Sequence, residues 1–243
     1  MSLLTVRGVA KAFGGVRALG SVDLHVQQGE TLGLMGSNGA GKTTLFGIIA
    51  GHIRPTSGDV WFHDRSIRGL SPDKICRLGI ARTFQIVRPF AGLTVRENVE
   101  IAILFGSMSR DSQEILSEKA MAVLAEVGLE VHANSLAATL TLSARKRLEV
   151  ARAIATDPEL LLLDEVMAGL NPREGEDMVE LIKHIKSRRP LSIVVVEHVV
   201  KALTALSDRI VVLHQGEIIV DGLPSEVICH PTVRSAYFGD ERP

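Results

Sequence analysis

Gly36-Ser37-Asn38-Gly39-Ala40-Gly41-Lys42-Thr43-Thr44 decides how this chain is read. The stretch fits G-x-x-x-x-G-K-[ST], the Walker A phosphate loop. Its flanks agree. Thr31-Leu32-Gly33-Leu34-Met35 precedes it and reads as a buried strand, and residues 44–50 read as a helix. Capture of a phosphate needs a strand, a glycine-rich turn and a helix start in that order. Glycines let backbone N–H groups turn inward around an anion, and the helix N-terminus adds partial positive charge. Lys42 has the reach to meet β- and γ-phosphates, and the Thr43 hydroxyl is a ligand for Mg²⁺.

Outward from the loop, the rest of the 243 residues gives ample core for one large domain. Lys+Arg is 27 against Asp+Glu 28, a balance that argues against nucleic acid as partner. Cys76 and Cys229 stand far apart in no C-x-x-C pattern, and the histidines show no H-E-x-x-H spacing. A disulfide framework and a protein-held transition metal are therefore not expected. The N-terminus lacks the long apolar region of a signal peptide, and no apolar run approaches the roughly twenty residues of a membrane span.

Residues 4–9, 22–26 and 59–63 read as strands around the phosphate loop, and residues 22–26 alternate apolar with polar. A short helix over 72–78 and a strand over 80–83 follow. After Gln85 the character changes to helices, over 94–105, 112–127 and 143–155, with Gly128 as a stop. These suggest a helical subdomain, about residues 86–155, inserted into a single domain spanning 1–243. The α/β rhythm then returns: strand 160–163, helix 172–187, strand 192–196, helix 198–206, a hairpin over 209–214 and 217–221, and two short closing helices. Apolar runs that end in Asp164-Glu165 and Glu197-His198 place acidic and basic groups at the carboxyl ends of buried strands, where α/β folds carry their chemistry. Leu160-Leu161-Leu162-Leu163-Asp164-Glu165 is a Walker B pattern: Asp164 would hold Mg²⁺, and Glu165 would be the base that activates water against the γ-phosphate.

With these two motifs the chain resembles the nucleotide-binding subunit of an ATP-binding cassette (ABC) transporter over almost its whole length. The resemblance implies a P-loop α/β fold: a RecA-like core, an antiparallel β part and the inserted helical subdomain. It implies ATP and Mg²⁺ as ligands and an ATPase coupled to transport. It assigns Phe13 to the adenine ring, Gln85 of Arg82-Thr83-Phe84-Gln85 to the metal and attacking water, and His198 to the γ-phosphate. The D-loop falls at Ala168-Gly169-Leu170-Asn171-Pro172, with Asn171 where an Asp is usual. The signature segment departs most. Where the family has L-S-G-G-Q, this chain has Leu140-Thr141-Leu142-Ser143-Ala144. Thr141 keeps a hydroxyl for the γ-phosphate of a second subunit. Ser143 replaces a glycine and is expected to cap the following helix. Val166 replaces the proline usual after the catalytic Glu.

Within the superfamily, four segments resemble branched-chain amino acid importers, the LivG-like group. They are Ala81-Arg82-Thr83-Phe84-Gln85-Ile86-Val87-Arg88-Pro89-Phe90, Gly92-Leu93-Thr94-Val95-Arg96-Glu97-Asn98-Val99, the run Ala168-Gly169-Leu170-Asn171-Pro172 and the ending Val233-Arg234-Ser235-Ala236-Tyr237-Phe238-Gly239. That likeness implies a pair of ATP-binding subunits, homo- or heterodimeric, on the cytoplasmic face of the membrane. Separate transmembrane permease subunits would dock near Gln85 and Pro89-Phe90, and a solute-binding protein would deliver the cargo. Three alternatives stay open at this point: a non-transport ABC ATPase, a catalytically weak regulatory subunit of a heteromeric transporter, and an exporter subunit.

Overall fold

The structure, a computed structural model, describes residues 2–83, 89–106 and 112–238, with the backbone alone at 236–238. They divide into two compact units, Met1–Pro72 with Ser192–Pro243, and Asp73–Leu191.

The first unit contains β1 (Ser2–Phe13), β2 (Val16–Gln27), β3 (Thr31–Met35), α1 (Lys42–Ile49), β4 (Ser57–Phe62) and β5 (Arg65–Ser66). The chain passes through α2 (Pro72–Arg77) into the second unit, which holds β6 (Ile80–Arg82), α3 (Val95–Gly106), α4 (Gln113–Glu126), α5 (Leu142–Ile154), β7 (Leu160–Asp164) and α6 (Pro172–Arg188). It returns to the first with β8 (Ser192–Val196), α7 (Val200–Leu206), β9 (Arg209–His214), β10 (Glu217–Gly222), α8 (Pro224–Cys229) and α9 (Pro231–Phe238).

In the first unit, β2, β1, β4 and β5 form an antiparallel sheet in that order. Its inward side chains follow the period-2 rule: Val22, Leu24 and Val26 are buried, and Asp23 and His25 face water. Beside it run β10, β9, β3 and β8, with β9 and β8 parallel to β3 on either side. Arg209 fastens this corner. Its guanidinium donates to Glu30 (Nε–Oε1 2.7 Å), to both Asp221 oxygens (2.8 and 2.7 Å) and to the His25 carbonyl (2.6 Å).

In the second unit β6 and β7 pair in parallel, Ile80 with Leu160 and Arg82 with Leu162. Helix α6 buries Met178, Val179, Leu181, Ile182 and Ile185, the i, i+3, i+4, i+7 stripe of an amphipathic helix. Arg189 ends it in a fork on Glu126 (3.1 and 2.7 Å), and also reaches the Ile154 carbonyl at 3.4 Å.

β3, β7 and β8 are buried at every position, which is why they read as unbroken apolar runs. The first hairpin is much longer than residues 4–9 and 22–26 suggest. Register shifts between Val6 and Val9 and between Lys11 and Ala12 break the alternation that marks a strand in sequence. Helix α1 starts two residues before 44 because Gly41 takes the cap. Helix α7 starts at Val200, with extended backbone at Val199, so His198 lies in the loop before it rather than in the helix. Gln85 and Gly239 lie outside the described residues.

Candidate phosphate-binding and catalytic site

In the first unit the phosphate loop leaves the C-terminal end of β3 and enters α1. Gly41 caps that helix at φ 108°, ψ 1°, and brings no side-chain acceptor to the helix start, an arrangement that an anion completes. Backbone bonds brace the loop. Ala40 N–H donates to Ser37 O (3.1 Å), Gly216 N–H to Ala40 O (2.9 Å) and Gly20 N–H to Gly216 O (2.8 Å), so the β9–β10 turn ties the loop to β2. Lys42 is only 6 % exposed. Its Nζ donates to the carbonyls of Gly36 and Ser37, the latter at 3.0 Å, which folds the ammonium back along the loop. Asn38, Gly39 and Thr43 are exposed, Ser37 and Thr44 half-buried, and Gly36 and Ala40 buried.

Parallel pairing of Thr31 with Ile193 and Gly33 with Val195 makes β3 and β8 end at one edge. The phosphate loop and Glu197-His198 therefore emerge side by side, with His198 exposed. Phe13 lies at the tip of the β1–β2 hairpin, 49 % exposed, with Lys11 Nζ 4.8 Å from its ring centroid. The same hairpin touches the loop. A Cβ added at Gly41 would stand 2.7 Å from Ala18 O and 2.6 Å from Leu19 Cδ2.

The second unit holds the carboxylates. Asp164 ends β7, and its Oδ2 accepts from Arg82 Nη2 at 2.7 Å. Its N–H donates to the Thr83 hydroxyl at 3.0 Å, and that hydroxyl donates to Leu162 O at 3.3 Å. Glu165 follows at φ +52°, a left-handed conformation uncommon for a residue with a Cβ and found where a local fold is over-determined. Buried Lys146 on α5 donates from Nζ to the Glu165 carbonyl at 3.0 Å. The start of α5 corrects one expectation: Thr141, not Ser143, is the cap. Its Oγ1 accepts from Ala144 N–H at 3.3 Å. Ser143 lies inside the first turn because the helix already begins at Leu142. The Thr141 hydroxyl keeps its own proton to donate. Asn171 caps α6 in a complete capping box with Glu174, both bonds 3.0 Å.

Near the segment at Pro89-Phe90, buried Asn98 clamps Phe90: Phe90 N–H donates to Oδ1 at 2.8 Å, and Nδ2 donates to Phe90 O at 3.1 Å. The ring stays half exposed under Arg152, whose Cζ is 5.1 Å from its centroid. Burial pushes the Arg152 guanidinium down, against the opposing charge of Glu149.

The loop, Phe13 and His198 thus belong to the first unit, and Asp164, Glu165, Thr141 and Ser143 to the second. Sequence reasoning gave no role to Arg82, Thr83 or Lys146. The first two were within reach, since parallel strands over 80–83 and 160–163 bring position 82 opposite 162. Lys146 meets Glu165 through helix–strand packing, which leaves no trace in spacing.

The ABC transporter family model matches residues 19–168. The chain is 38% identical over 250 residues to the high-affinity branched-chain amino acid transport ATP-binding protein LivG of Escherichia coli (strain K12), covering 98% of each chain. Among solved structures it is similar to the ADP conformation of an ATP-binding cassette of an ABC transporter. The TM-score is 0.88 at 27% identity, over 99% of this chain and 100% of that one. It is also similar to a dimeric post-hydrolysis state of an ATP-binding cassette bound to ADP and Pi. There the TM-score is 0.82 at 28% identity, over 91% of this chain and 98% of that one.

Proposed function

The chain belongs to the ABC transporter family, and we propose that it is the subunit that binds and hydrolyses ATP to drive an importer of branched-chain or other apolar amino acids. The observation that carries the reading is the kinship with an importer's ATP-binding subunit, which runs over 98% of both chains.

Binding falls to the phosphate loop. Lys42 would exchange its carbonyl partners for phosphate oxygens, and such charge-assisted bonds are about twice as strong as neutral ones. Phe13 offers its exposed ring to the adenine. Thr43 and Asp164 supply a hydroxyl and a carboxylate, the hard oxygen donors that suit Mg²⁺. When bound, that cation neutralises charge on the phosphoryl oxygens. Glu165 takes the proton of the attacking water, with His198 at the γ-phosphate and Gln85 on the water. Thr141 and Ser143 serve an ATP held by a second ATP-binding subunit, so ATP favours the closed pair and hydrolysis removes that preference.

Among the described residues no helix is long and apolar enough to cross a membrane. Passage of solute is therefore assigned to separate permease subunits. This chain docks on them at the cytoplasmic face through the Phe90 segment, and a solute-binding protein delivers the cargo. Deleting the gene and measuring uptake of labelled leucine, isoleucine and valine tests the reading. Uptake of at least one should fall and return with the wild-type gene but not with Lys42→Ala. Unchanged uptake of all three overturns the cargo assignment.

A further inference from the structure

The carboxylate assigned above to the metal already has a permanent cation beside it. The Arg82–Asp164 pair is 2.7 Å long, with the two side chains 11% and 4% exposed. No step of the proposed reaction uses Arg82. Nor is the pair needed to join β6 to β7. Thr83 N–H donates to Leu162 O at 2.9 Å, and the Thr83 hydroxyl holds the Asp164 N–H. Arginine cannot shed its proton to relieve crowding by a second cation, so its charge is fixed.

A carboxylate has two oxygens and room for more than one partner. Arg82 occupies Oδ2, which orients the group and leaves Oδ1. A divalent cation on Oδ1 must then share one negative charge with a guanidinium a few ångströms away.

We propose that Arg82 is a positioning residue that serves as the built-in counter-ion of Asp164, presenting Oδ1 to the divalent cation while holding the site's affinity for that cation down. The proposal rests on the assignment of Asp164 to the metal.

The test uses the full chain saturated with ADP, with Mn²⁺ as the probe and free Mn²⁺ read by electron paramagnetic resonance. Arg82→Gln removes the charge and keeps an amide donor on a shorter side chain. Mn²⁺ should bind about tenfold tighter, the order expected from one unit charge several ångströms away in a partly solvated site. Arg82→Lys keeps the charge and should stay within about twofold of wild type, because the same Coulomb term survives. A folded Arg82→Gln protein with unchanged or weaker Mn²⁺ binding overturns the proposal. Should Arg82→Gln not fold, Arg82→Lys decides: near-wild-type affinity supports the charge account, and a change of about tenfold in either direction overturns it. Asp164→Asn separates the underlying reading. It must weaken Mn²⁺ binding, and if it does not, the metal assignment itself fails.

Discussion

Two glycines of the phosphate loop allow a controlled perturbation. Gly39 and Gly41 both have positive φ, 80° and 108°. Around Gly39 an added Cβ would meet nothing within 4 Å, whereas at Gly41 it would lie 2.6 Å from Leu19 Cδ2 and 2.7 Å from Ala18 O. Gly39→Ala therefore carries only the backbone cost of a side chain at positive φ, about 1–2 kcal/mol. Gly41→Ala carries that cost and a clash. The carbonyl of Ala18 belongs to β2, which is laddered to β1 along most of its length and cannot retreat alone. Relief by several tenths of an ångström must come from the loop, at a further cost of about 1–3 kcal/mol. Urea denaturation should put Gly41→Ala about 1–3 kcal/mol below Gly39→Ala, or roughly 2–12 °C in Tm for a chain of this size. The displaced loop should also lose nucleotide. Labelled-ATP binding is expected to fall at least about tenfold in Gly41→Ala and much less in Gly39→Ala, because positioning errors of under 1 Å already matter at such sites. Equal losses in the two variants, in stability and in binding, would refute the account of a loop fixed by β2.

Other substitutions address the chemistry. Lys42→Ala should weaken ATP binding roughly ten- to several-hundredfold in equilibrium titration, from the loss of one or two charge-assisted bonds. Glu165→Gln should keep ATP binding and lower turnover at least about a hundredfold, with an ATP-bound dimer accumulating on size exclusion. The fold should tolerate that change, because Lys146 holds the Glu165 backbone carbonyl, which the substitution keeps. Thr141→Ala should slow hydrolysis in the assembled transporter more than it weakens ATP binding. It should also cost about 1 kcal/mol of stability from the lost cap, read separately by urea. Ser143→Gly should leave turnover equal or higher while lowering stability by about 0.5–1 kcal/mol, the penalty of glycine inside a helix.

The phosphate loop was legible because its chemistry is local: spacing along the chain sets spacing around the phosphate. Buried strands were legible too, since Leu160-Leu161-Leu162-Leu163 and Ile193-Val194-Val195-Val196 carry their burial in composition. The hairpin of β1 and β2 was legible only in part, because its bulges reset the alternation that sequence reading depends on. The environment of Asp164 was hidden for a different reason. Its partner Arg82 lies 82 residues away, and their meeting depends on the register of two parallel strands. The cap of α5 was misplaced by two residues because Thr141 and Ser143 are both good cap residues, and only the backbone at Leu142 tells them apart.

The departures from the family pattern acquire a common physical reading. Thr141 and Asn171 each start a helix, and each accepts a hydrogen bond from a backbone N–H that the helix cannot satisfy by itself. An aspartate at 171 would cap equally well and add a negative charge; asparagine keeps the cap and omits the charge. Pro172 follows at the first helical position, where its missing N–H has no cost. At α5, a glycine-rich turn is replaced by a hydroxyl cap followed by a side chain within the first turn. The replacement stiffens the helix start and keeps both its dipole and a hydroxyl proton to donate. Binding a phosphate through a helix N-terminus needs the dipole and the donors, and both survive. Close approach of bare backbone needs glycine, and that is what the substitution removes. Any deficit from the altered segment should therefore appear as slower turnover in the closed dimer, with ATP affinity at the phosphate loop unchanged.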